Sequence, residues 1–282
     1  MGNTKIEWAE KAWNPVTGCS KISLGCNNCY AERMSKRLRG RCGYDAENPF
    51  KVTLHPNRLE EPLRCSKPST IFVCSMGDLF HESVPFEWID KVMAAIALCP
   101  QHTFHILTKR PEKMKDYFCE PIGGLTRRNY ITSAISHHTC SYEVKPWNLK
   151  HMWLGVTAEN QSMANKRIPV LLKITATKKF VSVEPMLSNV SLDGLFIKNP
   201  FHKPPGWFVD SRAGLDWVIC GCESGPKRRP MKIEWARHLR DQCQDAGVPF
   251  FMKQLEINGK VTKNINEFPE DLRIREYPKG EK

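Results

Sequence analysis

Residues 70–97 read TIFVCSMGDLFHESVPFEWIDKVMAAIA. The opening TIFVCS (70–75) is apolar and partly β-branched, which reads as a buried strand. It runs into Met76, Gly77 and Asp78, a polar break. From Val84 the apolar positions recur at helical spacing through Leu98. The same unit recurs along the chain. TFHILT (103–108) precedes a helix opening at Pro111, and MWLGVT (152–157) precedes MANKRIPVLLKI. KFVSVEP (179–185) follows, then DWVICG (216–221) before IEWARHLRDQCQDAG, and finally PFFMKQ (249–254). Strands alternating with helices predict an α/β fold with a parallel sheet, either barrel or doubly wound.

Charged residues recur where these runs end: Asp78, Lys109, Arg110, Glu159, Glu184, Glu223 and Lys253. Strand ends meet water in any case, so one such residue carries no weight. Their repetition favours a shared pocket at the C-terminal rim of the sheet. The segments 119–150 and 196–215 exceed ordinary connectors and read as loops over one end of the sheet. No second core stands out, so a single domain over 1–282 is expected, with its core at about 4–254 and a polar extension at 255–282. INGK (257–260) reads as a short hairpin.

The loop WNPVTGCSKISLGCNNCYAERM holds Cys19, Cys26 and Cys29, and a helix opens near Tyr30. Three thiols on one loop suit a soft metal centre. Structural zinc wants four ligands, and His137, His138 and Cys140 lie far downstream. Three cysteines without a fourth suit a [4Fe-4S] cluster with an open iron. Iron–sulfur, zinc and unligated thiols all stand as readings of these residues alone.

The 282 residues carry 42 Lys and Arg against 30 Asp and Glu, a net charge of +12. That excess points to a polyanionic partner, with nucleic acid first, or else to a solvated surface. KRLRGR (36–41) and KRR (227–229) concentrate it. No apolar run is long enough to span a membrane. MGNTKIEWAE lacks the apolar stretch of a secretory leader. With no leader, the twelve cysteines do not read as a disulfide framework, and Cys74 and Cys220 read as core residues.

The blocks KIEWAEKAWNPVTGCSKISLGCNNCYAER, SMGDLFHE, ILTKRPEKM, GVTAENQ, VSVEPML, DWVICGCESGPKRRPM and GVPFFMKQ resemble a phage-borne, radical-SAM-like family. They span about residues 4–254. The resemblance implies a partial (β/α) barrel of radical SAM type, with a [4Fe-4S] cluster on Cys19, Cys26 and Cys29. It implies an S-adenosylmethionine site near Ser75, Met76, Gly77 and Asp78, with Thr157 and Glu159 toward its ribose or carboxylate. Lys109, Arg110, Glu184, Glu223 and Lys253 are then the candidate catalytic residues. The cations would hold a phosphate or carboxylate, and the carboxylates would orient hydroxyl or amino groups. Lys109 and Glu184 could instead pair with each other.

The activity implied is one-electron cleavage of S-adenosylmethionine and hydrogen abstraction from an unactivated carbon, fed by an electron donor. The substrate implied is nucleic acid, DNA first, or a nucleotide-linked group. An isomerase in phage thymidine hypermodification, working in the host cytoplasm, is the sharpest form of this expectation. The competing readings are a zinc-stabilised nucleic-acid-binding protein and a hydrolase using the rim carboxylates.

Overall fold

The six apolar runs of the sequence form six strands. The computed structural model describes residues 1–119, 149–195 and 214–278, with the backbone of 121–122 and 125–126. The fold is mixed α/β with a mostly parallel central sheet, and no closed barrel forms among the described residues. By its internal contacts the chain divides into two compact units.

The first unit comprises Met1–Ile22, Cys29–Leu154 and Ile174–Thr177. Its strands are β1 (Gly2–Asn3), β2 (Lys11–Trp13), β3 (Thr70–Val73) and β4 (Thr103–Thr108). They stand in the order β1-β2-β3-β4, parallel except for β1. Trp13 lies opposite Val73, and Val73 opposite Ile106, in one fully buried row. The helices are α1 (Tyr30–Arg37), α2 (Phe86–Ala97) and α3 (Pro111–Cys119). The α2 helix buries Trp88, Ile89, Val92, Met93 and Ile96, the three-and-four spacing that an amphipathic helix needs. Pro111 opens α3, where its missing N–H costs nothing.

Strand β5 (Met152–Thr157) is buried along its whole length, and the boundary between the units falls within it, after Leu154.

The second unit comprises Ser23–Asn28, Gly155–Lys173 and Lys178–Lys282. It holds α4 (Gln161–Leu172), β6 (Lys178–Val183), β7 (Trp217–Gly221), α5 (Ile233–Asp245), β8 (Phe250–Ile257) and β9 (Lys260–Thr262). Asn160 caps α4, its side chain accepting from Met163 N–H at 3.0 Å. Strands β6, β7 and β8 pair in parallel, and β7 (WVICG) is buried at every position. Such an unalternating apolar run is what a strand covered on both faces requires. Gly155 is a glycine because a Cβ there would lie 2.5 Å from the Phe180 ring.

The expected INGK hairpin joins β8 to β9, with Asn258 and Gly259 at φ 50° and 72°. Positive φ at both central residues is what a tight hairpin of this hand demands. The segment after 254 is more than a polar extension. Phe268 and Leu272 are buried. The Arg275 guanidinium lies over the Phe251 and Phe268 rings at 5.5 and 5.9 Å. No helix among the described residues is long and apolar enough to cross a membrane.

Candidate functional site

The site residues are positioned separately within each unit. In the first, Cys19 follows a glycine at φ 81°, where a Cβ would fall on the Lys51 carbonyl. Gly18 N–H donates to the Met76 carbonyl at 2.9 Å, and Cys19 N–H to the Phe50 carbonyl at 3.2 Å. Gly77 leaves room for this approach, since a Cβ there would stand 2.9 Å from the Gly18 carbonyl oxygen. Ser75 donates its hydroxyl to Asn14 Oδ1 at 3.2 Å, and Met76 N–H donates to the same oxygen at 2.9 Å. The residues after β3 thus carry the start of the cysteine loop.

Asp78 is buried and accepts four hydrogen bonds. Its Oδ1 takes Thr108 Oγ1 at 2.7 Å and Phe80 N–H at 3.0 Å. Its Oδ2 takes Lys109 N–H and Arg110 Nη1, each at 3.2 Å. Arg110, also buried, commits every N–H of its guanidinium. Nε donates to both Glu82 oxygens at 2.8 and 2.9 Å, and Nη1 to Asp78 and to Cys19 Sγ at 3.3 Å. Nη2 donates to the Ser20 carbonyl at 3.1 Å and its hydroxyl at 2.9 Å. Burial works against the Arg110 charge, but Asp78, Cys19 and Glu82 outweigh it and raise its pKa. His81 Nδ1 accepts from Ser83 N–H at 3.1 Å, so Nε2 carries the proton toward Ser20 Oγ at 2.8 Å. Burial, with Arg110 beside it, holds the His81 pKa below the ordinary imidazole range.

The Lys109 side chain is half-buried and makes no hydrogen bond or ion pair with a described residue. Cys29 precedes α1 and packs with Ala31, Tyr44 and Met76.

In the second unit, Glu159 is wholly buried and pairs with Arg167 Nη1 at 2.8 Å. Its other oxygen accepts Gly25 N–H at 3.2 Å. Arg167 also donates to the Thr157 carbonyl at 2.9 Å. Ser23 Oγ stands 3.8 Å from Cys26 Sγ. Glu223 accepts Asn28 Nδ2 at 2.9 Å and Arg229 N–H at 2.8 Å, and it pairs with the Arg229 guanidinium. Burial alone would raise the Glu223 carboxyl, but Arg229 and Asn28 outweigh it and hold it below the usual range. Lys253 Nζ donates to both Glu184 oxygens at 2.6 and 2.7 Å.

A sequence family described as "Protein of unknown function (DUF5131)" matches residues 3–271. The chain belongs to that family. A comparison with curated proteins finds no match. Two solved structures are similar to this DUF5131 chain. One is a doubly substituted variant of spore photoproduct lyase with bound AdoMet and dinucleoside spore photoproduct. It has a TM-score of 0.41 at 10% identity, covering 84% of this chain and 63% of that one. The other is a singly substituted variant of the same lyase, with a TM-score of 0.44 at 10% identity, covering 86% and 76%. The chain therefore spans less than two thirds of the length of the first structure.

Among the described residues of this DUF5131 chain, no group of three or more His, Cys, Asp or Glu is gathered as a metal site. The donor chemistry nevertheless suits a soft cluster. Cys19, Cys26 and Cys29 are not in disulfides and are partly exposed. Burial raises the thiols of Cys74, Cys220 and Cys243, and pushes Cys99 up to about 11 and Cys222 to about 12. Those five read as packing residues, not ligands.

Two basic features change. Arg228 and Arg229 of the 227–229 run are engaged by Glu256 and Glu223, which leaves Lys227 as its exposed cation. Arg110 has no N–H left for a substrate anion. Arg127, Arg128, His137, His138 and Cys140 lie outside the described residues, as does most of the loops 119–150 and 196–215. Sequence reasoning missed Asn14, Ser20, Gly25, Asn28, Glu82, Arg167 and Arg229. Their partners stand mostly far along the chain, and no spacing motif marks them.

Proposed function

We propose that this chain is a radical S-adenosylmethionine enzyme, with Cys19, Cys26 and Cys29 as ligands of a [4Fe-4S] cluster. The observation that carries this reading is the restraint on the loop bearing the three thiols. Buried charged side chains grip it at Ser20 (Arg110), Gly25 (Glu159) and Asn28 (Glu223). A surface loop with no task seldom draws buried charges to itself, because each costs desolvation. The chemistry such a cluster supplies, when bound, is one-electron cleavage of S-adenosylmethionine and hydrogen abstraction from an unactivated carbon.

The chain's own residues divide the remaining work. Arg110, Glu159 and Glu223 position the loop. Ser75 and Gly77 belong to the turn under Cys19 and, with Thr157, remain the candidates for cofactor contacts. Lys109 is the rim cation left to hold a substrate phosphate or carboxylate. Lys253 and Glu184 form a half-buried ion pair that can orient a hydroxyl or amine at the rim. The net charge of +12 favours a nucleic-acid-linked substrate, DNA first. Isomerisation on a modified thymidine is the specific reaction that the family resemblance implies.

The test is anaerobic reconstitution with iron and sulfide. About four irons per chain and broad absorption near ~400 nm are expected of a Cys-ligated cubane. Reduced protein then releases 5′-deoxyadenosine from S-adenosylmethionine. Stoichiometric zinc with no iron overturns the reading. Nucleosides of DNA from cells expressing the gene with its neighbours, read by mass spectrometry, test the substrate.

A further inference from the structure

We propose that Arg110 is a positioning residue that sets the reduction potential of the cluster through its N–H···S hydrogen bond to Cys19. This rests on the cluster reading above and goes beyond it by assigning the control of its potential to one side chain.

The geometry is specific. Nη1 stands 3.3 Å from Cys19 Sγ, within the range of an N–H···S bond. The direction of that N–H is fixed from three sides by Glu82 on Nε, Asp78 on Nη1 and Ser20 on Nη2. Asp78 is itself held by Thr108 Oγ1 and by the N–H groups of Phe80 and Lys109, so it cannot swing away. Loop anchoring alone would be served by the two bonds to Ser20. The donor on the sulfur is additional, and it comes from a side chain that stays charged at every working pH.

A charged donor on a ligand sulfur withdraws electron density from it. The reduced, more negative cluster gains more from this than the oxidised one, so the potential rises. Lysine cannot reproduce the effect. Its single ammonium lacks the fork that reaches Glu82, Asp78, Ser20 and Cys19 together.

The experiment compares wild type, Arg110→Lys and Glu82→Gln after anaerobic reconstitution. Each is titrated potentiometrically while the electron paramagnetic resonance signal of the reduced cluster is followed. Glu82 is 65% exposed, so its substitution loosens the aim of Arg110 without burying an unpaired charge. The expected result for Arg110→Lys is a more negative potential, with the reduction equilibrium at least tenfold weaker, about 59 mV for one electron. Glu82→Gln moves it the same way by less, and decides the matter if Arg110→Lys does not fold. Equal potentials in all proteins overturn the proposal and leave Arg110 an anchor. So does reduced iron content with an unchanged potential in the clusters that form. Absence of iron in wild type overturns the cluster reading itself, which the other outcomes leave standing.

Discussion

The Glu159 carboxylate joins Gly25, 134 residues earlier in the chain, to Arg167, one oxygen accepting the Gly25 N–H at 3.2 Å and the other pairing with the guanidinium at 2.8 Å. Neither Glu159 nor Arg167 reaches solvent appreciably. A buried pair of this kind contributes little net stability against apolar packing, but losing one partner strands the other. The residue that the family resemblance offers as a cofactor contact lends its carboxylate to the support of the cysteine loop.

Glu159→Ala should therefore lower unfolding stability by about 3–5 kcal/mol, because Arg167 stays buried without its counter-charge. It should also reduce iron uptake on reconstitution. Urea unfolding of both proteins measures the first effect. A loss under about 1 kcal/mol would mean that Arg167 finds another partner, and the structural role assigned to Glu159 would fail.

Asp78→Ala removes four accepted hydrogen bonds at once and leaves Arg110 without its buried anion. The expected cost is again about 3–5 kcal/mol, with the cluster potential shifted as in Arg110→Lys. A variant with wild-type stability and weakened S-adenosylmethionine binding, followed by equilibrium dialysis, would show instead that Asp78 faces the cofactor directly.

Histidine burial should contribute to the loss of stability in acid. His105 lies between Trp8 and Trp153, at ring distances of 5.5 and 4.6 Å, and burial pushes its pKa down to about 3. Burial likewise pushes His55 down to about 4. In the unfolded chain both titrate near ~6.5. Below that pH the unfolded state binds protons that the folded state refuses, so stability falls as pH drops from ~6.5 toward these depressed values. Each imidazole contributes a slope of up to roughly 1.4 kcal/mol per pH unit. His105→Phe should flatten the dependence between pH 6.5 and 4, read from urea midpoints. An unchanged slope would show that His105 takes up its proton in the folded state.

The cysteines should separate cleanly. Cys19→Ala, Cys26→Ala and Cys29→Ala should each abolish the ~400 nm absorption, while Cys74→Ala and Cys220→Ala keep about four irons. Iron loss in Cys220→Ala, with the fold intact by circular dichroism, would contradict the division between packing and ligand thiols.

Binding to duplex DNA should weaken steeply with salt, and the exposed Arg37, Arg39 and Arg41 are the cations placed to cause it. Their joint replacement by alanine should lower the log–log salt slope by about 2 to 3, roughly one released counterion for each phosphate no longer neutralised. Arg229→Ala should leave the slope alone, because Arg229 is spent on Glu223. Equal slopes for the triple variant and wild type would remove this surface from DNA binding.

The strands were legible because each apolar run is short, continuous and closed by a polar residue. TFHILT and MWLGVT fall on β4 and β5 to the residue. Strand β2 (KAW) was not, since three residues carry no period. The rim positions were legible, but their roles were not. A carboxylate at a strand end looks the same in sequence whether it meets a ligand or a buried arginine. Asn28 and Glu223 stand 195 residues apart, and nothing local in either stretch announces the other.

Gly25 has a consequence for inheritance. A Cβ at this position would stand 2.9 Å from the Glu159 carboxyl carbon, a side chain pinned at both oxygens with nowhere to retreat. The two positions cannot drift separately. A lineage that acquires any side chain at 25 must first have shortened or lost the one at 159, and with it the neutraliser of Arg167. Three sites are thereby tied into one evolutionary character, so that in related chains glycine, glutamate and arginine should be gained or lost as a set.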